Sequence, residues 1–334
     1  MDQNILLAVV LLAVGFLLTI KGGDWFVDAA IWVAEVTNIP KILIGATIVA
    51  LCTTMPELMV STFAVASGTQ DMGIGNAVGS IICNTSLILG ISITFLPSTV
   101  SRKSFWIKCA FLVGSILTLA IFALDLRITW IEGSILVVFL ILYFLINVRT
   151  AMDARSGNVI HESVDTTKKT VTKNLMKFLF GVVFIIIGAR LLVDNGVIIA
   201  KALGVSDQII GLTVIALGTS LPELITTISA VVKREFTLSI GNVLGANILN
   251  ILLIISVCSI MTDSGLEISM QNVPLIKSQI PQSLYLDLPV ALAVSLIVMV
   301  PALITGKFKR WQGITLLASY VMYIGYLSLD LFLA

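Results

Sequence analysis

One stretch of this chain occurs twice, in a form that few architectures can accommodate. IGATIVALCTTMPEL surrounds Glu57, and IGLTVIALGTSLPEL surrounds Glu223, 166 positions later. The same offset carries Gly45 to Gly211, Thr47 to Thr213, Ala50 to Ala216 and Pro56 to Pro222. It continues without a gap from IGNAVGSIICN to IGNVLGANILN, so that Gly75, Asn76, Gly79 and Asn84 become Gly241, Asn242, Gly245 and Asn250. Upstream, Gly22 and Asp28 fall on Gly188 and Asp194. Polar residues and prolines held in register over such a distance mark an internal duplication, not chance likeness between apolar segments.

The duplicated segments lie in a chain that water cannot solvate as a globule. Of 334 residues, 58% are hydrophobic and 12% charged, and the mean hydropathy is +1.08; soluble domains carry about twice that share of charge. Continuous apolar runs such as ILVVFLILYFLI do not alternate as barrel strands do, so the spans are helices. At about 20 residues per span, hydropathy predicts ten, near 4–21, 41–66, 73–97, 105–124, 130–149, 173–203, 207–232, 239–262, 284–305 and 311–333. The first is able to run on to about 34. One His and four Cys leave no His cluster and no spaced Cys framework.

Five helices per repeat is an odd number, so consecutive repeats enter the bilayer from opposite sides. The fold class expected is therefore an all-α integral membrane protein of ten transmembrane helices in two inverted five-helix repeats. Residues 1–150 form the first and 173–334 the second, joined by a polar cytoplasmic linker over 151–172 that contains a solvated His161. That linker is too short to fold a regulatory domain. No basic residue precedes the first apolar run, which argues against a cleaved signal peptide and places the N-terminus outside. Basic residues then collect in inner loops, at Arg102, Lys103 and Lys108, from Arg149 to Lys173, at Lys233 and Arg234, and from Lys307 to Arg310. Both termini are expected outside a multi-pass cell membrane, and lipid is the only obligatory partner foreseen; neither nucleic acid nor a protein partner is implied.

Glu57 and Glu223 each lie about 15 residues into an apolar span. A carboxylate at that depth costs several kcal/mol unless it is partnered or hydrated. The matching helices offer no Lys, Arg or His at comparable depth, and a mobile cation supplies the missing partner. Thr53 and Thr54, with Thr219 and Ser220, place hydroxyls within a turn of each acid. Pro56 and Pro222 lack an N–H, which frees the carbonyls of Cys52 and Gly218, and unwound backbone is tolerated at depth where it lines a cavity. Asn84 and Asn250 add amide oxygens from the next helices. Such oxygen sets suit hard cations such as Ca²⁺ or Na⁺. Gly75, Gly79, Gly241 and Gly245 read as close-packing positions, and Cys52 and Cys83 as small hydrophobes.

Two carboxylates among neutral ligands make a site of about −2, balanced by one divalent ion or by two or three Na⁺. An empty site of that charge is expensive to occlude, so ions cross only in exchange. Inverted repeats place such a site near the midplane at the repeat interface. No enzymatic chemistry is expected: an intramembrane aspartyl protease would resemble a G-x-G-D signature that is absent. A cation channel is the nearer rival.

The paired G-x-T-[IV]-[IV]-A-x-[GC]-T-[ST]-x-P-E motifs, each followed by G-N-x-x-G-x-x-x-x-N, resemble the α-repeats of the cation/Ca²⁺ antiporter superfamily. The likeness spans essentially the whole chain and is nearest to the prokaryotic sodium/calcium exchanger type. It implies electrogenic exchange of about three Na⁺ for one Ca²⁺ by alternating access, without a prosthetic group, between the second, third, seventh and eighth helices, while the first and sixth slide as a gate. Carried over by match, Glu57 and Glu223 bind Ca²⁺ with backbone oxygens near Thr53 and Thr219. Thr54, Ser220 and Ser80 serve Na⁺, with the carbonyls of Ala50 and Ala216, and Asn84 and Asn250 line the central position. The sequence departs from the pattern at Ala246, where a Ser is usual, and at Cys52, which replaces the Gly kept at Gly218. Asn250 stands where relatives often carry Asp, which argues against K⁺ cotransport. Gly79 and Gly245 break the G-N-x-x-E motif that Ca²⁺/H⁺ exchangers resemble, yet a Glu pair is able to carry protons, and H⁺ is the alternative counter-ion.

Overall fold

The computed structural model describes residues 3–156, 165–202, 216–262, 265–272 and 279–328. The described apolar runs form helices: α1 (Gln3–Thr37), α2 (Lys41–Thr53), α3 (Met55–Ala66), α4 (Gln70–Phe95), α5 (Arg102–Phe122) and α6 (Trp130–Ser156). Beyond the polar stretch come α7 (Lys168–Ala202), α8 (Ala216–Thr219), α9 (Leu221–Val232), α10 (Phe236–Ile260), α11 (Ser283–Thr305) and α12 (Arg310–Leu327). Among the described residues, seven helices are long and apolar enough to cross a membrane, and α2 with α3 would make an eighth if that bent pair is one span. The chain is an all-α membrane protein. Its short strands, β1 (Arg127–Ile128) with β2 (Leu266–Glu267) and β3 (Gln271–Asn272) with β4 (Gln279–Ile280), belong to connections.

Several boundaries differ from expectation. Helix α1 takes the longer of the two courses expected, running 35 residues to Thr37 because nothing before Asn38 breaks it; at 1.5 Å per residue it is about 52 Å long, well beyond a 30 Å hydrocarbon core. Helices α6 and α7 extend to Ser156 and from Lys168. The span expected over 207–232 is seen from Ala216; Gly211 and Thr213 lie outside the described residues, as does His161. Lys108, expected in a loop, sits inside α5 and is buried.

The helices gather into two compact units, each built from both sides of the polar stretch. The first comprises Met1–Thr53 with Asn147–Asn242. Within it α1 and α7 lie backbone to backbone. A Cβ on Gly15 would stand 2.9 Å from the Gly188 carbonyl oxygen, and one on Gly22 2.8 Å from that of Gly181. Early glycines meet late ones, so the two helices run antiparallel, and Gly15 and Gly22 are the repeat equivalents of Gly181 and Gly188. Small residues let lipid-solvated helices approach this closely. Asp28 of α1 then accepts from Lys177 of α7 (2.8 Å) and from Lys233 after α9 (2.5 Å), which fixes three helices at one level. In the same unit α2 crosses the start of α10 where neither has a side chain. A Cβ on Gly45 would meet the Leu238 carbonyl, and one on Gly241 the Ile42 carbonyl.

The second unit comprises Thr54–Ile146 with Val243–Ala334. Helix α12 packs on α4 at Gly90 and Gly313, where a Cβ on Gly313 would fall 2.7 Å from the Gly90 carbonyl oxygen. Gly133 of α6 similarly admits Ser259 of α10. The head of α4 holds the β2 connection, its Gln70 and Asp71 accepting the backbone N–H of Glu267 (2.5 Å) and Ser269 (2.8 Å).

Candidate functional site

Both repeated motifs fold as a helix, a one-residue break and a second helix. Thr54 separates α2 from α3 at φ −78°, ψ −6°, and Ser220 separates α8 from α9 at φ −88°, ψ 7°. The cause is local. Pro56 and Pro222 fall in the first turn of the second helix, where the missing N–H costs nothing, while a preceding helix could not continue through them. The first break bends the chain by 42°. Glu57 and Glu223 therefore occupy the first turns of α3 and α9. The helix N-terminus presents partial positive charge to each carboxylate, which offsets part of the cost of burying it. Both side chains are 0% exposed.

The first unit brings Ala50, Thr53, Ala216, Thr219, Ser220 and Glu223 into one compact body. Thr53 and Ser220 are buried, and Thr219 is half-buried. The Thr53 hydroxyl donates to Asn242 Oδ1 (3.2 Å) and toward the Ala50 carbonyl (3.3 Å). Asn242 Nδ2 donates to Thr226 Oγ1 (3.0 Å), whose own proton is shared between the carbonyls of Pro222 (2.8 Å) and Glu223 (3.1 Å). A narrow cleft of only about 10 Å³ is lined by Cys52, Thr53 and Pro222 together with Phe26 of α1 and Val182, Ile185 and Ile186 of α7. Residues next to both breaks thus face one space inside this unit.

The second unit holds Thr54, Glu57, Ser80, Asn84 and Asn250, all buried. Asn76 Nδ2 donates to the Glu57 carbonyl (3.2 Å) and to Ser61 Oγ (2.9 Å), which ties α4 to the first turn of α3. Asn84 and Asn250 each lie at the start of a π-helical stretch, Cys83–Ile88 and Asn250–Ile255. Such bulges widen a helix by one residue and concentrate at functional positions. Among the described residues, Thr54 Oγ1 and both amide atoms of Asn84 and of Asn250 are buried with no hydrogen-bond partner. A buried amide or hydroxyl in that state costs about 1–3 kcal/mol, and a ligand offering positive charge or a hydrogen bond removes the cost. Sequence reasoning missed the π stretches, which carry no residue signature, and the roles of Asn76 and Asn242, although both asparagines stood inside the repeated motif.

Gly241 is packed against α2, as expected of a close-packing position; on Gly75 and Gly79 an added Cβ meets no atom within 4 Å among the described residues, while most of the segment equivalent to α2 in the second repeat lies outside them.

The sodium/calcium exchanger protein family model matches residues 7–149 and 173–329. An uncharacterized membrane protein of Methanocaldococcus jannaschii is 31% identical over 94% of this chain and 96% of its own length. The sodium/calcium exchanger MaX1 of Methanosarcina acetivorans is 28% identical over 94% of this chain and 96% of its own. Among solved structures, the sodium-calcium exchanger NCX_Mj soaked with 10 mM Na⁺ and zero Ca²⁺ superposes with a TM-score of 0.81 at 32% identity, covering 97% of this chain and 99% of that one. The same exchanger soaked with 10 mM Na⁺ and 10 mM Sr²⁺ gives 0.80 at 30% identity over 96% and 98%. With a matched region that leaves out little beyond the polar stretch and the chain ends, and with buried acids at the duplicated breaks, the chain belongs to the sodium/calcium exchanger family.

Proposed function

We propose that this protein is a secondary active antiporter that exchanges Ca²⁺ against Na⁺ by alternating access, using ligands drawn from both repeats. The observation that carries the reading is the pair of repeat-equivalent glutamates, each fully buried in the first turn after a helix break. Glu57 and Glu223 bind Ca²⁺, with backbone oxygens at Thr53 and Thr219. Thr54, Ser220 and Ser80, with the carbonyls of Ala50 and Ala216, take Na⁺. Asn84 and Asn250 line the central position, and their unpartnered amides favour a ligand there. Names borne by relatives point the same way, since MaX1 and NCX_Mj are sodium/calcium exchangers.

The proposed topology is ten spans in two inverted repeats with both termini outside. The antiparallel contact of α1 with its repeat equivalent α7 supports inversion, because equivalent helices that run in opposite directions enter the bilayer from opposite sides. The charge of the two acids then explains coupling. One Ca²⁺ neutralises them, two or three Na⁺ do the same or leave about +1, and the empty site is too costly to occlude.

Purified protein in proteoliposomes tests this with radiolabelled Ca²⁺ and imposed Na⁺, H⁺ or K⁺ gradients. Uptake driven by an outward Na⁺ gradient is expected. Uptake driven only by H⁺ would replace the counter-ion, and flux that ignores every opposing gradient would make the protein a channel.

A further inference from the structure

Asp287 is a buried acid with no part in the exchange reading above. It is the last residue of the π-helical turn, Ser283–Asp287, that opens α11, a helix long and apolar enough to cross a membrane, and it is 5% exposed. Tyr323 of α12 donates to its Oδ1 at 2.9 Å; Gln282 Nε2 donates to Oδ1 at 3.3 Å and reaches Oδ2 only at 3.5 Å. Both partners are neutral, and no ion pair among the described residues includes Asp287. The elements around it bring no cation either. Helix α4, on which the turn packs, has Asp71 and Cys83 as its titratable side chains, and Asp71 is held at the head of the helix by the Ser269 N–H. Helix α11 adds only Tyr285, which is exposed. Helix α12 carries Tyr320, Tyr323 and Tyr326; its basic residue, Arg310, opens the helix about 20 Å from Tyr323.

A carboxylate with no balancing charge is costly at such a place, and the hydrogen bonds do not have the character that would offset it. A hydroxyl bond to a carboxylate measures about 2.5–2.7 Å, whereas the tyrosine bond has the length of a neutral one. We propose that Asp287 is a proton-binding site, separate from the glutamate pair: Oδ2 carries the proton, Oδ1 takes the tyrosine and amide hydrogen bonds, and exchange responds to the loss of that proton. Helix α12 provides the connection within this unit. Tyr320 and Tyr323, three residues apart, share a face; Tyr323 sits on Asp287, and Tyr320 shares a hydrogen bond with Cys83. Cys83 opens the π stretch that continues with Asn84, and α12 packs along that stretch. Loss of the proton puts an unbalanced charge under Tyr323 and so disfavours the packing that holds Asn84 in place. The response of exchange, but not the proton site itself, rests on the cation-exchange reading above.

Two readouts test this. Infrared spectra of the full chain in Ca²⁺-free detergent, titrated from about pH 5 to about pH 9, report the C=O stretch of protonated carboxyl groups. The parent should show a band that titrates in this range and that Asp287→Asn lacks; identical spectra of parent and variant would overturn the inference. In proteoliposomes Asp287→Asn keeps a neutral side chain of the same shape at every pH. Its Na⁺-driven Ca²⁺ uptake, taken relative to the parent, should therefore rise with pH by about threefold or more across the same range. A ratio that ignores pH would overturn the inference as well. Tyr323→Phe serves if the asparagine variant does not fold. It removes the α12 hydrogen bond that favours the charged form, so the band should titrate higher by roughly half a unit to one unit; no shift, or a shift to lower pH, would contradict the assignment. If the parent moved no Ca²⁺ under any gradient, the proposed function would fall, while the infrared titration would still decide whether Asp287 binds a proton.

Discussion

The two copies of the motif share a backbone and differ in what surrounds it. Thr54 and Ser220 adopt nearly the same break, prolines follow at the same distance, and Glu57 and Glu223 are equally buried. Around this frame the copies diverge. Asn76 donates to the Glu57 carbonyl, and Asn242 to Thr226. Ser80 has Ala246 as its equivalent, and Cys52 has Gly218. The difference teaches that duplication preserved the carboxylates held at depth and let the hydroxyl inventory drift. That is the expected outcome where the costliest feature, a buried carboxylate, admits the fewest substitutes.

The largest expected effect tests what the copies share. Glu57→Gln and Glu223→Gln should each lower Na⁺-driven Ca²⁺ uptake at least about 100-fold, because each removes half of the charge that balances the divalent ion. Uptake near that of the parent in either variant would end the equivalence. Next comes the packing difference. Gly241→Ala forces a methyl into the Ile42 carbonyl and should cost about 2–3 kcal/mol. Gly75→Ala should be neutral or stabilise by up to about 1 kcal/mol, since alanine favours the helix and no atom of the described residues lies within 4 Å of the added Cβ. Thermal unfolding of the two variants in detergent reads the contrast, and similar melting temperatures would refute it. Ala246→Ser restores the hydroxyl that the first repeat carries at Ser80, and should lower the half-saturating Na⁺ concentration about threefold; an unchanged Na⁺ dependence would show that this position does not serve Na⁺. The smallest contrast lies at the equivalent aspartates. Asp28 has two lysine partners, and Asp194 has only a loose, exposed contact with Arg190 at 3.6 Å among the described ion pairs. Asp28→Asn should cost about 1 kcal/mol after solvent screening, and Asp194→Asn nothing measurable.

Much of this was legible in the sequence because it rests on covalent or periodic features. Pro56 and Pro222 announce the two breaks, the apolar runs announce helices, and the constant offset pairs Glu57 with Glu223. What escaped rests on packing. The π stretches that begin at Cys83 and Asn250 have no residue signature, because a bulge depends on neighbours across the bundle. The compact units mix the two repeats, and contact between distant segments such as α1 and α7 is invisible to a linear reading of hydropathy. Lys108, at the edge of the 105–124 span, looked like a loop cation because charge alone cannot show that α5 turns it toward the protein interior.

The central claim is that two buried acids bind Ca²⁺ and Na⁺ in turn. It is tested most directly by radiolabelled Ca²⁺ uptake into proteoliposomes under an outward Na⁺ gradient, measured in parallel for the parent protein, Glu57→Gln and Glu223→Gln. The account predicts uptake that rises with the Na⁺ gradient in the parent and vanishes in both variants. Ca²⁺ uptake by the parent that is indifferent to Na⁺, or that survives either substitution, would contradict it.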